Sequence, residues 1–240
     1  MTSVRDVSGW ERVAPGVFRC RLPVWDCTAG LVAGTGGALL VDAGSSLREG
    51  ARVRAEAQAL AGRRVTHLAL THPHFDHVLG AAVFAGAEVF AAAGPAAAWS
   101  AEALRVDAVR HGLDEREAAG AADALVRPGH EVSGDVAVDL GGREVVLVDA
   151  GPGHTARDLA VLVPGDPPVV FCGDLVEESG APQAGPDAVP SRWPDALDRL
   201  LALGGPDARY VPGHGAVVDA AFVRAQREAL AARFGVSRRP

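Results

Sequence analysis

Four side chains that commonly bind metal ions fall within six residues of this sequence: His72, His74, Asp76 and His77. Imidazole and carboxylate groups are ligands that zinc, iron and manganese accept. The cluster directly follows residues 65–71, an apolar segment that predicts a buried strand. Since no regular helix or strand presents all four side chains on one face, we expect a tight loop that turns them towards one metal site.

Three further residues of the same chemical types stand beside glycines later in the chain. His154 lies in the sequence GPGHT, Asp174 in GD and His214 in PGHG, and each follows an apolar segment that predicts a strand. Glycine lets the backbone approach its neighbours closely, and functional side chains gather on the loops that follow strands. One such turn alone is more often a surface turn, but four motifs in this order predict a shared site.

The elements that must position these residues alternate between strands and helices. Apolar segments predict strands over residues 37–41, 65–71, 88–91, 136–140, 144–148, 159–163, 169–172 and 209–212. Helical spacing predicts helices over residues 47–61, 76–84, 193–203 and 220–234, and the alanine-rich residues 95–126 predict one or two more. No linker divides the chain, so we expect one domain over residues 1–240, with helices covering sheets on the outside.

Composition narrows the classes of function. Of the 240 residues 48% are hydrophobic, enough for a sizeable core. There are 23 basic and 30 acidic residues, giving a net charge of −7 without a dense basic run, which argues against nucleic acid as a partner. The chain contains neither Lys nor Asn, which excludes a Schiff-base lysine and an asparagine that stabilises an oxyanion.

Membrane and secretory signals are missing from the sequence pattern. No apolar run approaches the ~18 to 20 residues of a membrane span. The first 16 residues carry charges, Gly and Pro where a secretory signal needs an apolar stretch. The three cysteines, Cys20, Cys27 and Cys172, are too few and too scattered for a disulfide scaffold or a thiolate zinc site. We expect a cytoplasmic protein without a membrane partner.

The motifs HxHxDH, GHT, GD and PGHG, in this order, resemble the metallo-β-lactamase superfamily from the LLVDAG segment at residues 39–44 to Gly215. The resemblance implies an α/β protein with a four-layer αβ/βα sandwich and two metal ions in a groove at one edge of the sheets. The ligands it implies are His72, His74 and His154 for the first metal, Asp76, His77 and His214 for the second, and Asp174 as a bridge. Asp42 would orient the HxHxDH loop through hydrogen bonds, although a turn or helix-capping role is the alternative.

The resemblance also implies a chemistry. Two divalent ions, most often zinc with iron and manganese as other candidates, lower the pKa of a shared water from about 15.7 to about 7. The resulting metal-bound hydroxide would attack an ester, thioester, lactone or similar carbonyl or phosphoryl group of a small-molecule substrate. Asp76 would hold the second metal and accept a hydrogen bond from the nucleophile, which makes it the catalytic residue.

Alternatives remain open within the superfamily. Its persulfide dioxygenases share HxHxDH but hold one iron through two His and one Asp, and ligand types alone do not identify the metal. A metal-binding protein without catalysis is a third reading. Asp174 resembles the thioesterase, lactonase and phosphodiesterase branches, because β-lactamases usually have Cys or Ser there. Glutathione-thioester hydrolases continue into a helical domain, and this chain ends soon after His214, which argues against that substrate.

Other segments carry weaker signals. Residues 95–126 contain none of the ligands, and we expect them to cover the groove, with a packed outer helix as the alternative. Glu177 and Glu178 either line the mouth of the groove or are solvated. Tyr210 is expected in the core, and His130 in a loop.

Overall fold

The computed structural model describes residues 9–236. Within this range, seven strands form a first sheet, and their order across the sheet is the same as their order along the chain. Its first four strands pair antiparallel, and the remaining pairings are parallel. The strands are β1 (Trp10–Ala14), β2 (Val17–Arg21), β3 (Thr28–Ala33), β4 (Ala38–Val41), β5 (His67–Ala69), β6 (Glu88–Ala92) and β7 (His130–Val132).

Within residues 9–236, a second sheet has five strands, which lie side by side in the order β12-β11-β10-β9-β8. All its pairings are antiparallel except that of β11 with β12, which is parallel. The strands are β8 (Asp135–Asp139), β9 (Glu144–Gly151), β10 (Asp158–Val163), β11 (Val169–Glu177) and β12 (Arg209–His214). β11 is buried along its whole length, since sheet and helices cover both of its faces.

Helices cover the outer faces of both sheets. α1, α3 and α4 share a core with the first sheet, and α5 and α6 share one with the second. Their bounds, with the short α2, are α1 (Leu47–Ala61), α2 (Phe75–Val78), α3 (Ala101–Arg110), α4 (Glu115–Asp123), α5 (Trp193–Gly204) and α6 (Ala220–Phe234). The predicted four-layer αβ/βα sandwich is therefore confirmed. Between residues 9 and 236, none of the helices is both long and apolar enough to cross a membrane.

The two sheets pack face to face, and the apolar side chains between them form a core distinct from the two cores under the helices. Leu39 and Val41 on the first sheet meet Val161 and Phe171 on the second. Close approach depends on Gly30 in β3, because a Cβ there would lie 2.3 Å from Cε1 of Phe171. The absent side chain leaves space for the ring, so the sheets pack without a gap.

Helix α1 is fixed against the segment that follows the HxHxDH cluster. Its N-terminus is capped reciprocally: Ser46 Oγ accepts from the Glu49 N–H at 3.2 Å, and the Glu49 carboxylate accepts from the N–H and hydroxyl of Ser45. Gly50 then contacts Gly80, where a Cβ at Gly50 would lie 2.4 Å from the Gly80 carbonyl oxygen. This glycine contact lets the helix support the loop that carries the candidate ligands.

Several elements differ from the sequence-based expectation. β1 and β2 were not predicted, because their exposed positions carry Arg and Glu that obscure the apolar pattern. His130 begins β7 rather than lying in a loop, since this strand of three residues exists only through its parallel pairing with β6. Residues 95–126 form two helices, α3 and α4, after a 3-10 turn at Ala96–Trp99.

Candidate metal centre

All seven predicted ligands lie at one edge of the sandwich. His72 follows β5, His74 is the N-cap of α2, and Asp76 and His77 lie in that helix. The other three come from the second sheet, with His154 in the turn between β9 and β10, Asp174 within β11 and His214 as the last residue of β12. Both sheets, together with the turn and short helix that follow β5, thus supply the site.

A tight turn brings the HxHxDH side chains together. The His74 N–H donates to the His72 carbonyl at 3.0 Å, and the His77 N–H donates to the His74 carbonyl at 3.1 Å. The chain changes from extended backbone at His74, with φ −103° and ψ 151°, directly into α2. This change of direction places the side chains on both sides of the turn within reach of one centre.

The first ligand group consists of His72, His74, His154 and Asp174. One ligand atom from each lies within 4.8 Å of the others. His154 Nε2 is 3.0 Å from His74 Nδ1 and 3.5 Å from Asp174 Oδ2, and His72 Nε2 is 3.7 Å from the same oxygen. Three nitrogens and a carboxylate are a donor set that suits a divalent metal ion.

The second ligand group consists of Asp76, His77, Asp174 and His214. His77 Nε2 lies 3.2 Å from Asp174 Oδ1, and His214 Nε2 lies 3.3 Å from Asp174 Oδ2 and 3.4 Å from Asp76 Oδ2. Asp174 therefore contacts both groups. The structure thus brings together the residues that the resemblance implies for each metal ion, and their role as ligands stays a prediction.

Each of the five imidazoles uses its outward nitrogen for a hydrogen bond to an oxygen. In a neutral imidazole such a bond places the proton on the outward nitrogen and leaves a lone pair on the nitrogen that faces the centre, free for a metal ion. The pairs are His72 Nδ1 with Thr71 Oγ1 at 2.9 Å, His74 Nε2 with Asp187 Oδ2 at 3.0 Å, His77 Nδ1 with Asp42 Oδ2 at 2.8 Å, His154 Nδ1 with Gln183 O at 3.0 Å, and His214 Nδ1 with Trp25 O at 2.7 Å.

Asp42 is a buried carboxylate that contacts the end of β5 and one ligand candidate together. Its Oδ1 accepts the Thr71 N–H, and its Oδ2 accepts both the Thr71 hydroxyl and His77 Nδ1, each at 2.8 Å. The backbone of Asp42 has φ 58°, in the left-handed region that Asp tolerates better than most residues. The cap of α1 is Ser46, so the helix-capping alternative for Asp42 is wrong.

Two buried atoms of the centre test whether a metal ion fits. Among residues 9–236, His72 Nε2 and Asp174 Oδ1 are buried without a hydrogen-bond partner. Leaving such groups unpaired costs about 1–3 kcal/mol each, more when the group is charged. Both atoms face the middle of the cluster and both are metal-ligand atoms, so the residues fit a divalent cation.

The pKa values of His72, His154 and His214 agree with that fit. Burial lowers the pKa of His72, and it lowers the pKa of His154 to about 4, which leaves both imidazoles neutral. Burial also disfavours the charged form of His214, but the carboxylates of Asp174 and Asp76 outweigh it and raise its pKa to about 11. The carboxylates that favour a proton on His214 equally favour a metal cation.

Cys27 is a site residue that the sequence pattern missed. Its buried Sγ lies 3.5 Å and 3.7 Å from the two ring nitrogens of His77, and it groups with Asp76 and His77. Burial raises the pKa of the Cys27 thiol, which disfavours the thiolate. Cys27 lies far from every ligand motif in sequence, and an isolated backbone bridge to His214 brings it to the centre.

The two glutamates after Asp174 have different environments. Glu177 ends β11, is buried and lines the groove beside the centre, and its Oε2 accepts the Gln183 N–H at 2.9 Å. Burial, followed by the nearby Asp174, raises the pKa of Glu177 to about 7. Glu178 is exposed and accepts the Ala216 N–H at 2.7 Å. Of these two glutamates, Glu177 lines the groove and Glu178 does not.

A groove of about 840 Å³ opens beside the centre. Trp25 and Phe75 form an aromatic wall with an edge-to-face contact at 5.2 Å, and His111 stacks on Phe75 at 5.4 Å. Leu104 and Arg110 of α3 line the same groove. Residues 95–126 therefore contribute to its wall, and their role as a cover stays a prediction. Tyr210 lies in the core as expected, fully buried in β12.

The family model described as "Metallo-beta-lactamase superfamily" matches residues 22–214, a span that contains all seven candidate ligands. The chain belongs to the metallo-beta-lactamase superfamily. It is 32% identical over 182 residues to metallo-beta-lactamase domain-containing protein 1 of Xenopus laevis, covering 74% of this chain and 66% of that protein. It is 30% identical over 153 residues to hydroxyacylglutathione hydrolase of Nitrosococcus oceani, covering 64% of this chain and 49% of that protein.

Solved structures of the superfamily share the fold. A metallo-beta-lactamase from Pontibacter korlensis superposes with a TM-score of 0.69 at 20% identity, covering 92% of this chain and 97% of that one. A metallo-beta-lactamase from Pseudomonas aeruginosa, solved in a mono-zinc form, gives a TM-score of 0.68 at 20% identity, covering 95% and 96%. At this identity the likeness supports the architecture alone.

Gly213 provides a test of the geometry around Asp174. A Cβ at Gly213 would lie 1.9 Å from Asp174 Oδ1, so Gly213→Ala must displace the carboxylate that contacts both groups. We expect metal affinity, measured by chelator competition, to fall at least about tenfold. Gly120→Ala is the control, because Gly120 lies in α4 with nothing within 4 Å of an added Cβ. Unchanged affinity in Gly213→Ala would show that the position of Asp174 does not govern metal binding.

Proposed function

We propose that this protein is a hydrolase with two divalent metal ions, most readily zinc, acting on a small molecule with an ester, thioester, lactone or related carbonyl or phosphoryl group. The observation that carries the proposal is the convergence of seven metal-competent side chains in two groups that share Asp174. A structural zinc site has four ligands closed around one ion. Seven ligands shared by two ions would leave coordination positions for water and substrate.

The metal ions would supply Lewis acidity and lower the pKa of water so that hydroxide forms near neutral pH. The side chains of the protein supply the rest. Asp76 lines the groove, and although burial disfavours its charged form, His77 and His214 outweigh burial and lower the pKa of its carboxyl. An ionised Asp76 accepts a hydrogen bond from the attacking water and orients it. Because the chain has neither Lys nor Asn, the oxyanion would be stabilised by a metal ion, by backbone N–H groups or by another donor of the groove such as Arg110.

The groove favours substrates with an apolar portion. Trp25 and Phe75 provide an aromatic wall, and Leu104 extends it from α3. The name of the Nitrosococcus oceani relative supports thioesters as the first class to examine, although the match covers about half of that protein. We therefore rank thioesters with an apolar acyl or thiol part ahead of lactones and phosphodiesters.

Metal content and a substrate panel test the proposal together. Protein purified without added metal should contain about two divalent ions per chain, chiefly zinc, by elemental analysis. Thioesters, lactones, phosphodiesters and β-lactams are then assayed with wild type and with Asp207→Asn, an exposed residue outside the groove. Hydrolysis that is lost with a chelator and restored by zinc supports the proposal. One iron per chain, with oxygen consumption on a persulfide, would replace it with the oxygenase alternative.

Asp76→Asn separates the two ligand groups. Asn is nearly isosteric with Asp but neutral, so the fold should persist while the second group loses a charged ligand. The substitution changes no member of the first ligand group, so about one metal ion per chain should remain. Turnover should fall by about 10²-fold or more, as when one main interaction with the transition state is removed. Elemental analysis and kcat are the measurements.

Two outcomes contradict the role given to Asp76. If the variant keeps both metals and a near-normal rate, the carboxylate only stabilises its loop. If the variant loses both metals, the seven ligands act as one unit and the division into two groups fails. Asp207→Asn removes the same charge from an exposed position and should change neither quantity.

Arg110 tests the contribution of α3 to substrate choice. Arg110 lines the groove, and among residues 9–236 it has no ion-pair partner. Arg110→Ala should raise KM about threefold for substrates with a remote carboxylate or phosphate, and leave KM unchanged for neutral ones, since exposed charge pairs contribute modestly. Arg105→Ala on the same helix is the control, because Arg105 pairs with Glu102 outside the groove. If the KM of Arg110→Ala equals that of wild type for every substrate, charged or neutral, α3 is only an outer packing helix.

A further inference from the structure

The connection between β11 and α5, residues 178–192, crosses the first ligand group. Asp187 Oδ2 accepts the hydrogen of His74 Nε2 at 3.0 Å, and the Gln183 carbonyl accepts that of His154 Nδ1 at 3.0 Å. Two of the three imidazoles of the first group are therefore oriented by this one segment, which we call the 178–192 loop. The outward nitrogens of the second group bond elsewhere, to Asp42 and to the Trp25 carbonyl.

The 178–192 loop is anchored at several points. Glu177 Oε2 accepts the Gln183 N–H at 2.9 Å, and the Val189 N–H donates to the Gly153 carbonyl at 2.9 Å. Arg233 of α6 donates to the Pro182 carbonyl at 2.7 Å. Asp187 lies between these anchors, so its carboxylate is held in front of His74 rather than projecting freely into solvent.

The contact between Asp187 and His74 decides which nitrogen of His74 faces the centre. A carboxylate that accepts the hydrogen of Nε2 keeps the proton there and leaves the lone pair on Nδ1. His74 Nδ1 is the atom that lies 3.0 Å from His154 Nε2, within the first group. A carboxylate also makes the imidazole a stronger electron-pair donor than a neutral acceptor does. Asp187 is not within the metal-competent groups themselves.

We propose that Asp187 is a positioning residue that sets the metal affinity of the first ligand group by fixing the tautomer and orientation of His74. The inference rests on the metal binding of the proposed function and names a residue that neither the motifs nor the family match identifies. The role of Asp187 is local, because its carboxylate bonds to His74 and to none of the imidazoles of the second group.

The test compares Asp187→Ala and Asp187→Asn with wild type by chelator competition. Asp187→Ala should weaken one of the two zinc sites about 10- to 100-fold and leave the other unchanged. Asp187→Asn should give a smaller loss, since its amide oxygen accepts the same hydrogen bond without the charge. Asp207→Asn is the matched control and should bind both ions as wild type does. Asp207 is exposed and lies just before the start of β12, whereas His214 is at the other end of that strand.

A second measurement separates positioning from a general effect on folding. Nitrogen-15 NMR of the metal-free proteins at alkaline pH, where the His74 imidazole is neutral, should show wild-type His74 protonated at Nε2, while Asp187→Ala should show a mixture of both tautomers. Melting temperatures of the metal-free proteins should agree, since Asp187 is exposed and its loss removes no core contact. A lower melting temperature with an unchanged tautomer would mean that Asp187 only stabilises the loop, and would overturn the proposal.

The remaining outcomes distinguish this inference from the proposed hydrolase. Equal zinc affinities for Asp187→Ala and wild type would overturn the inference even if hydrolysis is found. Weakened affinity at one site, with no hydrolysis of any panel substrate, would support the inference and contradict the proposed function. Wild-type protein that binds no divalent metal would overturn both.

Discussion

The buried carboxylate of Asp174 is the group on which the rest of the centre depends. It lies within 3.7 Å of four imidazole nitrogens, and one of its oxygens has no hydrogen-bond partner among residues 9–236. Burial opposes a negative charge there, and the pKa of Asp174 is nonetheless held well below its ordinary value, with His77 as the largest favourable influence. The backbone gives this carboxylate its space, because Gly213 lacks the Cβ that would displace it.

The hydrogen bonds behind the imidazoles come from different parts of the fold. His77 bonds to Asp42, which is buried and continuous with the first sheet, and His214 bonds to the backbone carbonyl of Trp25. His74 and His154 instead bond to the 178–192 loop at the surface. Two of the three imidazoles of the first group thus depend on one surface loop, whereas Asp42 and the turn that contains Trp25 support the second group. A change in the conformation of the 178–192 loop therefore affects the first ligand group directly.

The fold and the function are supported by different observations. The sandwich and the superfamily follow from the sheet order, the family match over residues 22–214 and the superposition with solved metallo-beta-lactamases. One scaffold carries many activities, so the reaction has to be argued from the site and the groove beside it. In this chain the groove combines an aromatic wall from Trp25 and Phe75 with charged residues of α3.

The sequence by itself determined the ligand candidates and most of the regular elements. The residue types and the spacing between His72 and His77 were enough to predict these ligand candidates. Helices α1 and α6 have the predicted bounds, because their local periodicity does not depend on the elements they pack against. Apart from Asp42, which the sequence motifs already indicated, only the tertiary structure decided which groups hydrogen-bond to the outward nitrogens of the ligand candidates. Cys27, Gln183 and Asp187 belong to no motif, and long-range packing alone brings them to His77, His154 and His74, so no local pattern in the chain records those contacts.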